Sequence, residues 1–499
     1  MRVGRAEDSI GTRKFRAYLG AVVAGMTAEF FAQLCEVGER ARIATDTPGL
    51  ALAYASGSGQ TWFAGLGVAD VATGTPIDAG TVFRWCSLTK LLVAETVIGL
   101  AAGDSSLLDT PVTRILTGLR EPFTGVTVQM LLDHTSGIEG EWPVSLAEFG
   151  NGRDALERFV RAAGELRAFA PPGELFGYCN PGYWLLGAVI EKLTGTDVED
   201  ALRASIVQPT SLATLFTEGQ RREREGEPAQ FWAGGKPANV ATPYICAAAG
   251  PHPNGWDRMP RARVASGGAW GSVGDAIRFG LAMVERPESA WHLRAGRAVQ
   301  TGEPGGYQGL GWRMQRRVRG TSFGHSGSYD GYVTQLQIFP RSETHGEGGV
   351  LAIFANSDSG AGVRSAVLNF ALERLHGEVV HPQVQPAPAP SDFAGSYGFP
   401  EIGSIELEFS SGVAAGGELT VRASGEPGRG FRVAAAEGHG RLYRVAEGPF
   451  AGQALELLPL GDGPGRAIRL GGRLGGRLEA RAGGHAEAGL AAQLGEDHG

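Results

Sequence analysis

The stretch TVFRWCSLTKLLVAETVIGL, residues 81–100, decides how this chain is read. Thr81-Val82-Phe83-Arg84 leads into a helix. From about Ser87 to Ala102 the residues favour a helix, which Gly103-Asp104 stops. Leu88, Leu91, Leu92, Val93, Val97, Ile98 and Leu100 fall on most sides of that helix, so it is expected to be buried. Ser87 and Lys90 lie at i and i+3, where helical side chains are neighbours. A serine hydroxyl is a weak nucleophile until a base takes its proton. A lysine amine takes it where burial or nearby positive charge disfavours the ammonium. The helix start also favours negative charge building on Ser87. The plainer reading is an N-cap serine followed by a solvated lysine. Two features oppose it. Lys90 sits among apolar residues, where an unpaired ammonium is costly. Of the four lysines, Lys14, Lys90, Lys192 and Lys236, it alone has serine three residues before it.

Two further short patterns each occur once. Tyr178-Cys179-Asn180 follows the loop Pro171-Pro172-Gly173 and precedes a Pro181-initiated helix. A tyrosine near Lys90 has its phenolate favoured and can pass protons. Asn180 offers a donor and an acceptor to Lys90 and to a substrate amide. A core tyrosine with a helix-capping asparagine is the plainer reading of this pattern. His325-Ser326-Gly327-Ser328 stands just before an expected strand. Histidine can donate to a phenolate or to a substrate carboxylate. Gly327 would let a substrate backbone approach closely. A loop histidine is the plainer reading here.

Together, in the order Ser-x-x-Lys, Tyr-x-Asn, His-x-Gly, these patterns resemble the serine β-lactamase and penicillin-binding-protein superfamily. The Tyr-x-Asn form resembles its class C β-lactamase and D-aminopeptidase or esterase branch. Leu131-Leu132-Asp133-His134-Thr135-Ser136-Gly137-Ile138, Ser266-Gly267-Gly268 with Asp275-Ala276-Ile277-Arg278-Phe279, and Gly309-Leu310-Gly311-Trp312 extend the likeness over roughly residues 27–376. His134 is read as structural, its neighbours bonding a turn. The resemblance implies that Ser87 is acylated, that Lys90 and Tyr178 share the proton work, and that Asn180, His325, Ser326 and Gly327 bind substrate. It also implies an oxyanion hole from the backbone N–H groups of Ser87 and Ser328. No metal or organic cofactor is implied. Class C β-lactamases and transpeptidases usually carry lysine where this chain has His325. Histidine there is common among esterases, D-aminopeptidases, amidohydrolases and peptide-cyclising relatives. The implied function is hydrolysis of an ester or amide, with D-amino-acid derivatives among the candidates. The alternatives are acyl transfer or peptide cyclisation from the same acyl-enzyme, β-lactamase activity, and a silent binding protein. Cys179 stands where serine or alanine is frequent.

The rest of the chain sets the frame. At 499 residues it is long enough for two or three domains. With 42% hydrophobic and 20% charged residues it is globular in composition. A net charge of −8 disfavours nucleic acid as a partner, and the resemblance implies a small-molecule or peptide substrate. No run of about 20 apolar residues marks a membrane span. Cys35, Cys86, Cys179 and Cys246 lack metal-ligand spacing and form no disulfide framework, so a reduced, cytoplasmic protein is expected. Arg13, Lys14 and Arg16 before Ala17–Ala28 make a poor secretion signal, because the apolar run continues into Glu29-Phe30-Phe31. Met26 is an alternative start. Oligomeric state is left open.

The expected architecture is α/β. Residues 1–26 form a tail. Residues 27–380 form a β-lactamase-like α/β sandwich plus helical subdomain, with strands at 49–55, 61–68, 332–339 and 349–355 and a helix at 361–376. Residues 381–391 form a Pro-rich linker. Residues 392–480 form a small all-β barrel, which resembles the lipocalin-like appendages of D-aminopeptidase-like and peptide-cyclising members. Residues 481–499 form a flexible tail.

Overall fold

Strand-forming runs from the two ends of residues 28–379 meet in one sheet. The computed structural model describes residues 28–142, 146–212, 216–217, 240–247, 250–254, 259–303, 305–341 and 348–379, and eight strands between 395 and 477. The expected terminal tails and the linker at 381–391 lie outside the described residues.

The sheet is open and nine-stranded. Its strands in chain order are β1 (Gly49–Ser56), β2 (Thr61–Asp70), β3 (Thr75–Pro76), β4 (Val299–Gln300), β5 (Gly306–Gln308), β6 (Arg313–Arg317), β7 (Gly320–Tyr329), β8 (Tyr332–Phe339) and β9 (Gly349–Ala355). They lie in the order β3-β2-β1-β9-β8-β7-β6-β5-β4. The first strand therefore pairs antiparallel with the last, Leu50 opposite Ala355 and Ser56 opposite Gly349. Period-2 alternation sends the two faces of the same strands to different partners. Leu50, Leu52, Leu351 and Ile353 meet Phe30, Phe31 and Leu34 of helix α1 (28–44) and Val363, Val367 and Leu372 of helix α5 (Gly360–His376). Ala51, Ala53, Leu336, Ile338, Val350 and Ala352 face the larger core. Each fully buried leucine or isoleucine contributes about 1.5–3 kcal/mol.

The larger core carries the helical part. Helix α2 (Thr89–Gly103) has every residue from Thr89 to Ile98 buried, because leucine, valine and isoleucine occupy all its sides. The stretch Cys86–Gly103 is apolar and long enough to cross a membrane by length and composition, but it lies 67% buried in the fold as a core helix. Glu95 anchors it: Arg294 Nε and Trp312 Nε1 donate to Glu95 Oε1 at 2.7 and 2.9 Å. Helix α3 (Asn180–Thr194) begins at a cysteine cap, with Pro181 in its first turn, and ends at Gly195, whose φ of 69° is the left-handed closure. Helix α4 (Val273–Val284) opens with a capping box between Ser272 and Asp275 and packs on β9.

The eight strands from Gly395–Phe399 to Arg473–Arg477 pair in chain order and close into a barrel through Tyr397 opposite Arg477. They include Gly403–Phe409, Leu419–Ala423, Gly430–Ala435 and Ala454–Pro459, within the all-β region expected over 392–480.

Candidate active site

A short strand, Val82–Arg84, pairs antiparallel with Ala269–Ser272 and delivers the chain to a 3₁₀ turn, Cys86–Leu88, ahead of α2. Ser87 lies in that turn and is half-buried. Its side chain does not cap the helix, so the N-cap reading fails. The turn is fastened by two threonines. Thr89 Oγ1 donates to the Cys86 carbonyl (2.7 Å) and accepts from Ala269 N–H (3.0 Å), and Thr334 Oγ1 donates to the Trp85 carbonyl (3.0 Å). Cys86 takes a left-handed φ of 52°, the bend that sets the course of the chain into Ser87.

Lys90 is fully buried. Its Nζ donates to Asn180 Oδ1 (2.7 Å) and to the Ser266 carbonyl (2.9 Å), and lies 3.3 Å from Ser87 Oγ. The rings of Tyr178 and Tyr183 flank it, with centroids 4.9 and 5.3 Å away. The structure thus brings Ser87, Lys90, Tyr178 and Asn180 together. Asn180 caps nothing. The cap of α3 is Cys179, whose Sγ accepts from Gly182 N–H (3.3 Å) and donates to the Glu139 carbonyl (3.3 Å). That leaves the Asn180 amide free to turn inward. His134 is part of the same scaffold: its Nδ1 accepts the Cys179 N–H (3.1 Å), and its ring packs against that of Tyr178, tilted by 39° with centroids 4.5 Å apart.

His325, Ser326, Gly327 and Ser328 lie within β7 and not before a strand. The ladder from β6 ends at Arg313 opposite Gly324, so His325–Tyr329 is paired only with β8. Serine and glycine are turn-favouring types, which is why this stretch reads as a loop from sequence. Gly327 packs against the turn that precedes Ser87. A Cβ there would lie 2.7 Å from the Trp85 carbonyl oxygen, 2.8 Å from Cys86 Cβ and 2.3 Å from Thr334 Oγ1. Its missing side chain admits the turn that carries Ser87. Gly327→Ala should therefore cost about 1–3 kcal/mol by overpacking, read as a lower urea midpoint. An unchanged midpoint would show that the turn can yield.

His325 is also buried, and its ring lies 5.9 Å from that of Tyr178. Its Nδ1 stands 2.6 Å from the Ser326 carbonyl, which only accepts, so Nδ1 carries the hydrogen. Burial, and then the positive charges of Arg313 and Lys90, hold the imidazole's proton affinity well below its ordinary value. In the neutral ring Nε2 is an acceptor, and it has no hydrogen-bond partner among the described residues. The expected donation from His325 to a phenolate or carboxylate therefore does not fit this ring, whose donor is already committed. An unfolded histidine takes up its proton near pH 6.5. The stability gained by keeping His325 neutral is present above that pH and lost as pH falls below it. Histidine ¹⁵N shifts should show this ring neutral, protonated on Nδ1, throughout pH 6.5–8. Titration within that range would contradict the assignment.

Four contributors escaped the sequence reading: Tyr183, the Ser266 carbonyl, Glu141 and Arg263. Tyr183 donates to the Leu132 carbonyl (3.0 Å), and burial pushes its phenol well up. Glu141 accepts from Asn180 Nδ2 and from Arg263 Nη2 (3.1 Å). Ser266-Gly267-Gly268 was a visible motif, but a carbonyl ligand leaves no trace in residue type.

A family model described as Beta-lactamase matches residues 21–374, and the chain belongs to that family. Penicillin-binding proteins, esterases and D-aminopeptidases are among its relatives, which include hydrolases of this fold. Penicillin-binding protein 4 of Amycolatopsis lactamdurans is 28% identical over 363 residues, 66% of this chain and 88% of that one. Esterase EstB of Burkholderia gladioli is 35% identical over 167 residues, 29% of this chain and 41% of that one. Among solved structures, that of SurE superposes with a TM-score of 0.70 at 24% identity, covering 91% of this chain and all of the other. That likeness is one of fold.

Proposed function

We propose that this protein is a serine hydrolase that cleaves an ester or amide through an acyl-enzyme on Ser87. The observation that carries the reading is the set of partners around Lys90 Nζ. Asn180 Oδ1 and the Ser266 carbonyl can only accept, so each takes an N–H. A neutral amine has two N–H groups and one lone pair. With both N–H groups so committed, the lone pair is directed to the third neighbour, the Ser87 hydroxyl. Lys90 then takes the Ser87 proton as Oγ attacks the substrate carbonyl carbon, and the Oγ–C bond forms. The leaving alcohol or amine receives that proton as its bond to the acyl carbon breaks, with Tyr178, beside Lys90, as the relay. Water then attacks the acyl carbon and gives up a proton by the same route, which restores Ser87. The backbone N–H groups of Ser87 and Ser328 are assigned to the oxyanion. Asn180 and the singly paired stretch His325–Ser328 are assigned to substrate binding. Esterase and D-aminopeptidase relatives favour esters and D-amino-acid amides as the classes to try. Intact mass and peptide mapping after treatment with a fluorophosphonate test the reading. A single adduct on Ser87 supports it, and no adduct, or an adduct elsewhere, rejects it.

A further inference from the structure

Asn180 can serve Lys90 only with its oxygen inward, and nothing in an isolated asparagine selects that orientation over the flipped one. The selection comes from the segment that follows the His134 motif. The Gly140 carbonyl accepts the Asn180 backbone N–H (2.9 Å), and the Glu141 carboxylate accepts from Asn180 Nδ2 through Oε1. Glu141 Oε2 is held by Arg263 Nη2 at 3.1 Å, and the Arg263 guanidinium lies over the rings of Tyr329 and Trp184 at 5.4 and 5.8 Å. A carboxylate held in this way only accepts, so the amide must turn its NH₂ toward Glu141. The planar amide then places Oδ1 on the opposite side, 2.7 Å from Lys90 Nζ. In the flipped amide, Asn180 Nδ2 faces Lys90 and draws the amine's lone pair away from Ser87, while two acceptors face each other at Glu141.

We infer that Glu141, clamped by Arg263, is a positioning residue that locks the Asn180 amide and through it aims the Lys90 lone pair at Ser87; this rests on the reading of Lys90 as base. Glutamine at 141 can present either an oxygen or an NH₂, so it supports both orientations of Asn180 and removes the lock without changing size.

The experiment is a double-mutant cycle read by the rate of fluorophosphonate labelling of Ser87, with kcat and KM on a neutral ester and thermal midpoints as the folding control. Glu141→Gln is expected to slow labelling by about 10-fold or more and to lower kcat with little change in KM. Asn180→Ala is expected to lose more. The double variant should match Asn180→Ala within about 3-fold, because a residue acting through Asn180 has nothing left to act on. Where Glu141→Gln fails to fold, Arg263→Gln leaves the carboxylate but loosens it. A smaller loss that also vanishes in the Asn180→Ala background is expected of it. Wild-type rates in Glu141→Gln, or losses that multiply in the double variant, overturn the inference. So does a loss confined to D-amino-acid amides with a free ammonium and absent for the neutral ester, since Glu141 would then be a substrate-binding carboxylate. If wild-type Ser87 takes no label, the proposed function falls and this inference with it. If the wild type labels and Glu141→Gln is unaffected, the inference alone falls.

Discussion

Ser87→Ala abolishes fluorophosphonate labelling and lowers kcat on any turned-over ester by about 10³-fold or more. The size follows from what remains. Without Oγ no acyl-enzyme forms, and the residual rate comes only from substrate held near polarising N–H groups. The fold should be indifferent to the change, because Ser87 is half-buried and its side chain caps no helix. An unchanged thermal midpoint with lost turnover is thus the expected pair of results. The neighbouring thiols are a built-in control. Cys86 is buried, and Cys179 is committed as the cap of α3. Labelling of Ser87→Ala at either cysteine, with turnover kept, would reassign the nucleophile.

Lys90→Arg should lie within about 10-fold of Lys90→Ala, each falling by about 10³-fold in the labelling rate. A guanidinium keeps the charge but stays protonated at any useful pH, so it has no lone pair to offer. It is also the wrong shape. Lys90 Nζ fits between the rings of Tyr178 and Tyr183, with two acceptors set for an amine. A planar fork there disturbs both rings. Most of the activity surviving in Lys90→Arg would mean that the position supplies charge alone, and the lone-pair argument would be lost.

The sequence carried the frame well where local pattern and burial agree. β1 and β9 are runs of mostly small and branched apolar residues, β8 mixes apolar and polar residues of high strand preference, and all three fall within a residue or two of expectation. Helix α2 was legible because its apolar residues leave no polar face. The meeting of Ser87, Lys90, Tyr178 and Asn180 was legible because each motif occurs once. What escaped depends on non-local geometry. Nothing local says that the β6 ladder ends opposite Gly324 and leaves His325 inside a strand with one neighbour. Gly327 looks like any glycine until Trp85 and Cys86 are folded against it. The capping of α3 by a thiol in place of the asparagine beside it ran against the usual ranking of caps. Glu141 has no motif of its own, and its relation to Asn180 arises only when 139–141 is laid along 179–180.

Because β1 hydrogen-bonds to β9, the middle of the sheet cannot exist until residues 349–355 have left the ribosome. At about 5–20 residues per second, the roughly 300 residues between those strands take some 15–60 seconds to appear. During that interval the Trp85 carbonyl lacks Thr334, so the bend that presents Ser87 has lost one of its two threonine fastenings. The order of synthesis therefore delays the completed serine site until nearly the whole of the large sheet has been made, and a nascent chain does not present that site in finished form.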